Sequence, residues 1–103
     1  MTDPAVLEGG ETYLRQMVGR HKGLFSEILQ ERIRQELKWG LQEHDSLMWL
    51  AILAEEFGEY AKDVVDLNAA YSSVLPNMRV ELVQIAAVAV AILEDWDRRG
   101  KWG

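Results

Sequence analysis

The sequence contains no cysteine and only two prolines. Without cysteine, no disulfide, thiolate zinc site, iron–sulfur cluster or cysteine nucleophile can form, so oxygen and histidine atoms are the only metal ligands available. Oxygen ligands favour hard cations. The longest uninterrupted apolar run, residues 85–93, is too short to cross a bilayer, and the N-terminus has no basic start followed by an apolar stretch. We therefore expect a cytoplasmic protein without a membrane partner.

Basic residues are outnumbered by acidic ones, with 11 Lys and Arg against 17 Asp and Glu, which gives a formal net charge of -6. A surface of this sign repels phosphate backbones and argues against a nucleic-acid partner. A chain of 103 residues, of which 49% are hydrophobic, has the size of one small domain. We expect one hydrophobic core and no separate cofactor module. A partner subunit could add to the surface that the chain buries.

The positions of the helix-breaking residues predict four helices and no strand. No alternating apolar pattern or internal repeat is present. Glycines and the polar stretch around Pro76 delimit helical segments at about 11–21, 24–39, 46–68 and 76–99. Gly40 is expected to end the second helix, and Asp45 or Ser46 to cap the third. The second and third helices each carry an apolar stripe expected to face the core, formed by Phe25, Ile28, Leu29, Ile33 and Leu37 in one and by Leu50, Leu53, Ala54, Phe57, Ala61, Val64 and Leu67 in the other.

The fourth helix is apolar around its whole circumference. Between residues 80 and 93 its only polar side chains are Glu81 and Gln84. A helix of this kind must be covered on several sides, and a bundle of four short segments offers too few neighbours for that. We therefore expect an all-α helical bundle that is completed by dimerisation.

Three acidic residues of the third helix, Glu56, Glu59 and Asp63, lie within about 60° of each other at helical spacing. Glu81 and Gln84, three residues apart, share one face of the fourth helix. If these two helices form an antiparallel pair, the oxygen atoms converge on the groove between them. Such a set suits Mg²⁺, which prefers oxygen ligands and is usually shared with substrate phosphates.

Two plainer interpretations of these acidic residues stay open. The residues of the third helix are equally typical of a solvated face. Glu81 costs desolvation energy unless it is paired, and a salt bridge would satisfy it without a metal. The candidate partners for such a salt bridge are Arg79, Lys38 and Arg34.

Several short stretches of the sequence form a recognisable pattern: Glu31-Arg32 to Gln35, Lys38-Trp39-Gly40, Gln42, His44, Trp49-Leu50, Glu55-Glu56-Phe57-Gly58-Glu59 and Glu81-Leu82-Val83-Gln84. Through these residues, roughly positions 28–96 resemble the MazG-like family of all-α nucleotide pyrophosphohydrolases. The family signature is Glu-x-x-Glu followed on the next helix by Glu-x-x-Asp, and its members hydrolyse nucleoside triphosphates to monophosphate and pyrophosphate with magnesium. Residues 24–103 would form the MazG-like helical domain, and residues 1–23 an N-terminal helical extension.

The resemblance also implies a site. Glu56, Glu59 and Glu81 match the metal ligands of the family, and Gln84 stands in the place of the Asp, with Asp63 able to assist. Glu55 would orient or deprotonate the attacking water. Residues ahead of the third helix would hold the nucleoside, with Trp39 or Trp49 stacking on a base and Gln42 or His44 bonding its edge.

Each of these substrate-binding roles has a structural alternative. Core packing would explain the two tryptophans, and a capping or loop role would explain His44. Arg34 and Lys38, four residues apart on the second helix, could reach phosphates or remain solvated surface charges. Further candidate cations lie at the end of the fourth helix and just beyond it, where they could also interact with its C-terminus: Arg98, Arg99 and Lys101.

The expected activity is therefore that of a Mg²⁺-dependent nucleoside triphosphate pyrophosphohydrolase, assembled as a homodimer or homotetramer. The alternative is a non-catalytic helical nucleotide-binding or scaffold module that keeps the fold without turnover. Gln84 favours this alternative, because an amide offers a carbonyl oxygen but no negative charge to a cation.

Overall fold

The computed structural model describes residues 9–67 and 75–100. These residues form four helices and no strand: α1 (Glu11–Arg20), α2 (Lys22–Trp39), α3 (Ser46–Leu67) and α4 (Leu75–Arg99). The all-α prediction is confirmed. Only His21 separates α1 from α2, so Gly23 lies inside α2 instead of preceding it. None of the described helices combines the length and the apolarity that crossing a bilayer requires.

Local capping chemistry explains where α3 begins and where α2 and α4 end. The Oδ1 atom of Asp45 accepts a hydrogen bond from the backbone N–H of Met48 at 2.8 Å, so Asp45 is the N-cap. Gly40 follows α2 with φ 74° and ψ -170°, and its N–H donates to the carbonyl of Glu36. Gly100 follows α4 and also has a positive φ, of 80°.

Helix α4 lies at the centre of the described structure and packs against both α2 and α3, whereas α2 and α3 do not pack against each other. Trp49 meets Asp95 near one end of the α3–α4 pair and Asp63 meets Glu81 near the other, so these helices are antiparallel. Helix α2 therefore stands apart from α3 across a cleft whose floor is α4. Helix α1 packs only on α2.

The apolar stripes predicted for α2 and α3 do not form the core, and this expectation was wrong. The buried residues of α2 are Arg32 and Gln35, which are 9% and 7% exposed. The physical reason is that, among the described helices, α3 packs on α4 alone and α2 packs on α4 and on the short helix α1, so part of the apolar face of each is left open. Within the predicted stripes, the exposed side chains are Phe25, Leu29, Ile33 and Leu37 of α2 and Leu50, Ala54, Phe57 and Val64 of α3.

The backbone of Gly40 gives a test of the turn between α2 and α3. Its φ and ψ values lie in a region that residues with a Cβ atom avoid, so Gly40→Ala should lower the free energy of unfolding by about 1–3 kcal/mol. Gly58 is the matched control, because it lies within α3 and an added Cβ meets no atom within 4 Å. Gly58→Ala should raise stability by up to about 1 kcal/mol. Urea unfolding measures both, and equal effects would contradict the strained turn.

Candidate metal and nucleotide site

The groove between α3 and α4 brings acidic side chains from both helices together. Burial raises the pKa of Glu81, and a hydrogen bond with the carboxylate of Asp63 and repulsion from Asp63, Glu59 and Glu56 raise it further. Burial also raises the pKa of Glu56, with added repulsion from Glu59 and two other glutamates. The two helices thus place Glu56, Glu59, Asp63 and Glu81 within electrostatic reach of each other, as the antiparallel pairing predicts.

Two carboxylate oxygens of this acidic cluster are buried without a hydrogen-bond partner: Oε2 of Glu56 and Oε2 of Glu81. An unpaired buried carboxylate oxygen is energetically costly, and such oxygens in proteins are usually paired or bound to a cation. The cations proposed as salt-bridge partners of Glu81 are engaged elsewhere, since Arg79 pairs with Glu27 and Arg34 with Glu31. Lys38 lies over the ring of Trp39, 4.8 Å from its centroid. The salt-bridge interpretation of Glu81 is therefore wrong.

The solvated-face interpretation holds for part of the cluster only. Glu55 and Glu59 are exposed, whereas Glu56, Asp63 and Glu81 are half-buried. Gln84, one turn after Glu81 on α4, is half-buried as well. Among residues 9–67 and 75–100, no three His, Asp or Glu side chains are grouped closely enough to hold a metal ion in their present rotamers. The donor set has the chemistry that a hard cation prefers, and binding one requires side chains such as exposed Glu59 to turn inward.

A cleft of about 280 Å³ opens beside the acidic cluster, between α2 and α3 and above α4. Glu56 belongs to both the cluster and the cleft wall, so the two features are continuous. The opposite end of the cleft is formed by the turn that joins α2 to α3. The lining residues are Arg32, Gln35 and Trp39 of α2, residues 40–42 of the turn, Trp49, Ile52, Glu55 and Glu56 of α3, and Val88, Ala91, Glu94 and Arg98 of α4.

The cleft separates the residues proposed for substrate binding into two groups. Trp39 and Gln42 line it, together with Glu55. Arg34 and Lys38 are absent from its wall, and Arg34 instead donates two hydrogen bonds to Glu31 at 2.9 and 2.6 Å.

His44 is also absent from the cleft wall, but it contacts two residues that line it. Its ring meets the ring of Trp49 edge-on, with 4.8 Å between centroids. Its Nε2 atom lies 3.3 Å from Oε1 of Gln42. His44 therefore supports the wall of the cleft from behind.

Sequence reasoning gave no role to several polar residues of the cleft. Arg32 donates to Oε1 of Glu94 at 2.7 Å and to Oε1 of Glu36 at 2.8 Å, and it joins α2 to α4. The available signal was the three-residue spacing of Arg32 and Gln35, which puts both on one face of α2. The ion pair with Glu94, 62 residues away, cannot be predicted from the local sequence.

Arg98, which the sequence suggested only as a cation at the end of α4, also lines the cleft. Lys101, the other basic candidate after α4, lies outside the described residues.

No family model, curated protein sequence or solved structure matches this chain. The MazG-like resemblance therefore stays a prediction that rests on the quoted residues. The acidic cluster and the cleft do not depend on that resemblance, because the positions of their residues in the structure define them.

The raised pKa values of Glu56 and Glu81 give a test of the acidic cluster. The folded chain binds protons at these groups more readily than the unfolded chain, in which a glutamate has its ordinary pKa of 4.5. The stability they contribute is therefore greatest below pH 4.5 and falls as pH rises through the folded pKa values. Without divalent cations, Glu81→Gln should be more stable than wild type at pH 7.5, and this difference should shrink at pH 4.

Urea unfolding in a chelating buffer at the two pH values measures this effect. Glu11→Gln is the control, because Glu11 is exposed on α1 and lies outside the cluster. Because Glu11 lies in the first turn of α1, where a negative charge is mildly favourable, Glu11→Gln should lower stability slightly at pH 7.5, in the direction opposite to Glu81→Gln. A wild type that is more stable than Glu81→Gln at pH 7.5 would show that the cluster carries no electrostatic cost.

Proposed function

We propose that this chain is a Mg²⁺-dependent nucleoside triphosphate pyrophosphohydrolase of the MazG-like type. The observation that carries the proposal is the pair of buried, unpartnered carboxylate oxygens on Glu56 and Glu81, at one end of a cleft. An aromatic ring and an amide, those of Trp39 and Gln42, stand in the wall of the same cleft. A cation site beside a surface able to stack a base is the arrangement that a metal-bound nucleotide requires.

Glu56, Glu59 and Glu81 would hold the cation, with Gln84 or Asp63 as a further oxygen donor. A bound Mg²⁺ would offset the repulsion among these carboxylates and polarise the phosphate oxygens of the substrate. Binding involves a change of side-chain rotamers, because no three acidic groups are clustered tightly enough as they stand. With Gln84 the ligand set carries one negative charge fewer than it would with an Asp, which weakens the attraction for the cation.

The remaining roles follow from position in the cleft. Glu55 lines the cleft next to Glu56 and would take the proton of the attacking water. The water oxygen would bond to the α-phosphorus as the bond from that phosphorus to the bridging α–β oxygen breaks, and pyrophosphate would leave. Of the two guanidinium groups that line the cleft, Arg98 is bound to Asp95 and to the α2–α3 turn, so Arg32 would be the phosphate contact in place of Arg34 and Lys38.

The second candidate function is a nucleotide-binding or scaffold module without turnover. Gln84 is the specific residue that favours it, since a metal held by fewer charges activates water less well. The cleft would still bind a nucleotide through Trp39 and Gln42. Hydrolysis and binding measured side by side distinguish the two functions.

Pyrophosphate release from each common ribo- and deoxyribonucleoside triphosphate tests the enzyme directly. With Mg²⁺, wild type should hydrolyse at least one of them, and Glu56→Gln should lower kcat/KM by at least about 100-fold, or roughly 2.7 kcal/mol. Glu11→Gln should match wild type. No release from any triphosphate, with wild type equal to Glu56→Gln, would contradict the enzymatic proposal.

Calorimetry with Mg²⁺ alone gives the readout that is independent of turnover. Glu81→Gln should weaken cation binding at least tenfold, and Gln84→Asp should tighten it, because the added carboxylate supplies a charge. Nucleotide binding without hydrolysis would support the second function. Absence of both cation and nucleotide binding would leave a purely structural module.

We also propose that a second copy of the chain covers the exposed apolar face of α3. We define this face by its exposed side chains, which occupy one continuous arc of the helix that contains no charged residue. Soluble monomers rarely leave contiguous apolar patches of this kind in water. Leu82, Leu93 and Trp96 of α4 are exposed as well, so α4 is still incompletely covered within one chain. The members of the α3 face are Leu47, Leu50, Ala54, Phe57, Val64 and Val65.

Sedimentation at micromolar concentration tests the dimer. Phe57 is 58% exposed within one chain, and a charge placed there would be buried on association. Phe57→Glu should therefore raise the dissociation constant at least about 100-fold. Lys62→Gln is the control, because Lys62 is exposed on the same helix outside the apolar face. A wild type that sediments as a monomer would contradict the proposal.

A further inference from the structure

Asp95 is a fully buried carboxylate near the C-terminal end of α4, with 0% exposure. Its Oδ2 atom accepts hydrogen bonds from Nε1 of Trp49 at 2.7 Å, from Nη2 of Arg99 at 2.7 Å and from the backbone N–H of His44 at 3.2 Å. Arg99 Nε and Arg98 Nη2 donate to Oδ1. The guanidinium of Arg99, followed by the indole and amide donors, holds the pKa of Asp95 well below its usual range despite burial.

The two arginines held by Asp95 also bind the backbone of the turn between α2 and α3. Nη2 of Arg98 donates to the carbonyl of Gln42 at 3.2 Å, and Nη2 of Arg99 donates to the carbonyl of His44 at 2.7 Å. With the bond from the His44 amide to Asp95, the turn is attached to α4 at three backbone atoms. Each of the three attachments involves Asp95 itself or an arginine that it orients.

This turn is the end wall of the cleft. Residues 40–42 line the cleft, and Gln42 is further supported by the ring of His44. Asp95 does not line the cleft, so it would touch neither the substrate nor the metal. A buried charge with several charge-assisted bonds fixes the geometry of the groups around it, because each bond lost leaves a donor unpaired.

We propose that Asp95 is a positioning residue for nucleotide binding, which fixes the α2–α3 turn so that Gln42 and Trp39 are already in place when the nucleotide enters. This inference rests on the proposed function. An ion-pair network at the end of α4 would hold the wall of the cleft that contacts the base. This network is separate from the carboxylates that would bind the metal. A turn released from Asp95 would sample other conformations, and apparent affinity would fall by the fraction of time that the wall is in place.

Asp95→Asn keeps the shape of the side chain and removes its charge. We expect KM to rise at least tenfold and kcat to change less than twofold, because the proposed metal ligands lie toward the other end of the antiparallel α3–α4 pair. A general loss of structure would lower kcat and the folded fraction together. Asp97→Asn is the matched control, since Asp97 is an exposed residue of the same helix, and it should leave both constants unchanged.

Hydrogen exchange of the backbone amides at 40–45 reads the turn directly and does not depend on activity. In Asp95→Asn these amides should exchange at least tenfold faster than in wild type, while amides in the middle of α3 stay protected. If Asp95→Asn fails to fold, Arg99→Gln decides the question, because it removes the bond to the His44 carbonyl and leaves Asp95 bonded to Trp49. It should shift exchange and KM in the same direction by a smaller factor.

If turnover is absent, a dissociation constant replaces KM. It is measured by calorimetry, in the presence of Mg²⁺, for triphosphate analogues with a non-hydrolysable α–β bond. A folded Asp95→Asn with wild-type exchange at 40–45 and wild-type affinity would overturn the inference and leave the proposed function intact. A wild type that binds no triphosphate would overturn the proposed function, and this inference with it.

Discussion

Packing α3 against α4 forces acidic side chains into one groove, and the rest of the proposed chemistry depends on this contact. Glu56 and Asp63 on α3 face Glu81 on α4, and partial burial strengthens their mutual repulsion by removing water that would screen it. The nearby cations relieve little of the cost: Arg34 acts to lower the pKa of Glu56, but both Arg34 and Arg79 are paired with other glutamates. A bound divalent cation would offset this repulsion, which is why a cluster of this kind is a candidate for a functional site.

Helix α4 connects this groove to the opposite end of the cleft. Glu81 lies near its beginning, Glu94 joins it to Arg32 in the cleft, and Asp95 anchors the α2–α3 turn near its end. One central helix thus carries both a carboxylate of the proposed metal site and the network that shapes the wall proposed to contact a nucleoside. Helices α2 and α3 pack on α4 but not on each other, which opens the cleft and leaves apolar faces exposed, among them the α3 face that a second chain would bury.

The features that local sequence could predict are those decided by local chemistry. Helix bounds follow from Asp45 as an N-cap and from Gly40 and Gly100 at positive φ, so they agree with the structure within about two residues. The meeting of Glu56 and Glu81 follows from helical spacing combined with an antiparallel connection. Both rest on rules that operate over a few turns of helix.

The remaining features depend on partners far apart in sequence. The orientation of α2 was predicted from its apolar stripe, but Arg32 is drawn inward by Glu94, and only the tertiary structure reveals that pairing. Nothing in the local sequence distinguishes Asp95 from the other charges of α4, because its hydrogen-bond partners Trp49 and His44 lie 46 and 51 residues away. Apolar periodicity indicates that a face is covered, and it does not distinguish cover by the same chain from cover by another.

Anomalous diffraction from crystals grown with Mn²⁺ tests the central claim most directly, because Mn²⁺ accepts the same oxygen ligands as Mg²⁺. We expect an anomalous peak in the groove between α3 and α4, within bonding distance of Glu56 and Glu81, with the side chain of Glu59 turned toward it. A groove without a peak, with the carboxyl groups of Glu56 and Glu81 bonded to protein donors instead, would contradict the claim that these acids exist to hold a cation.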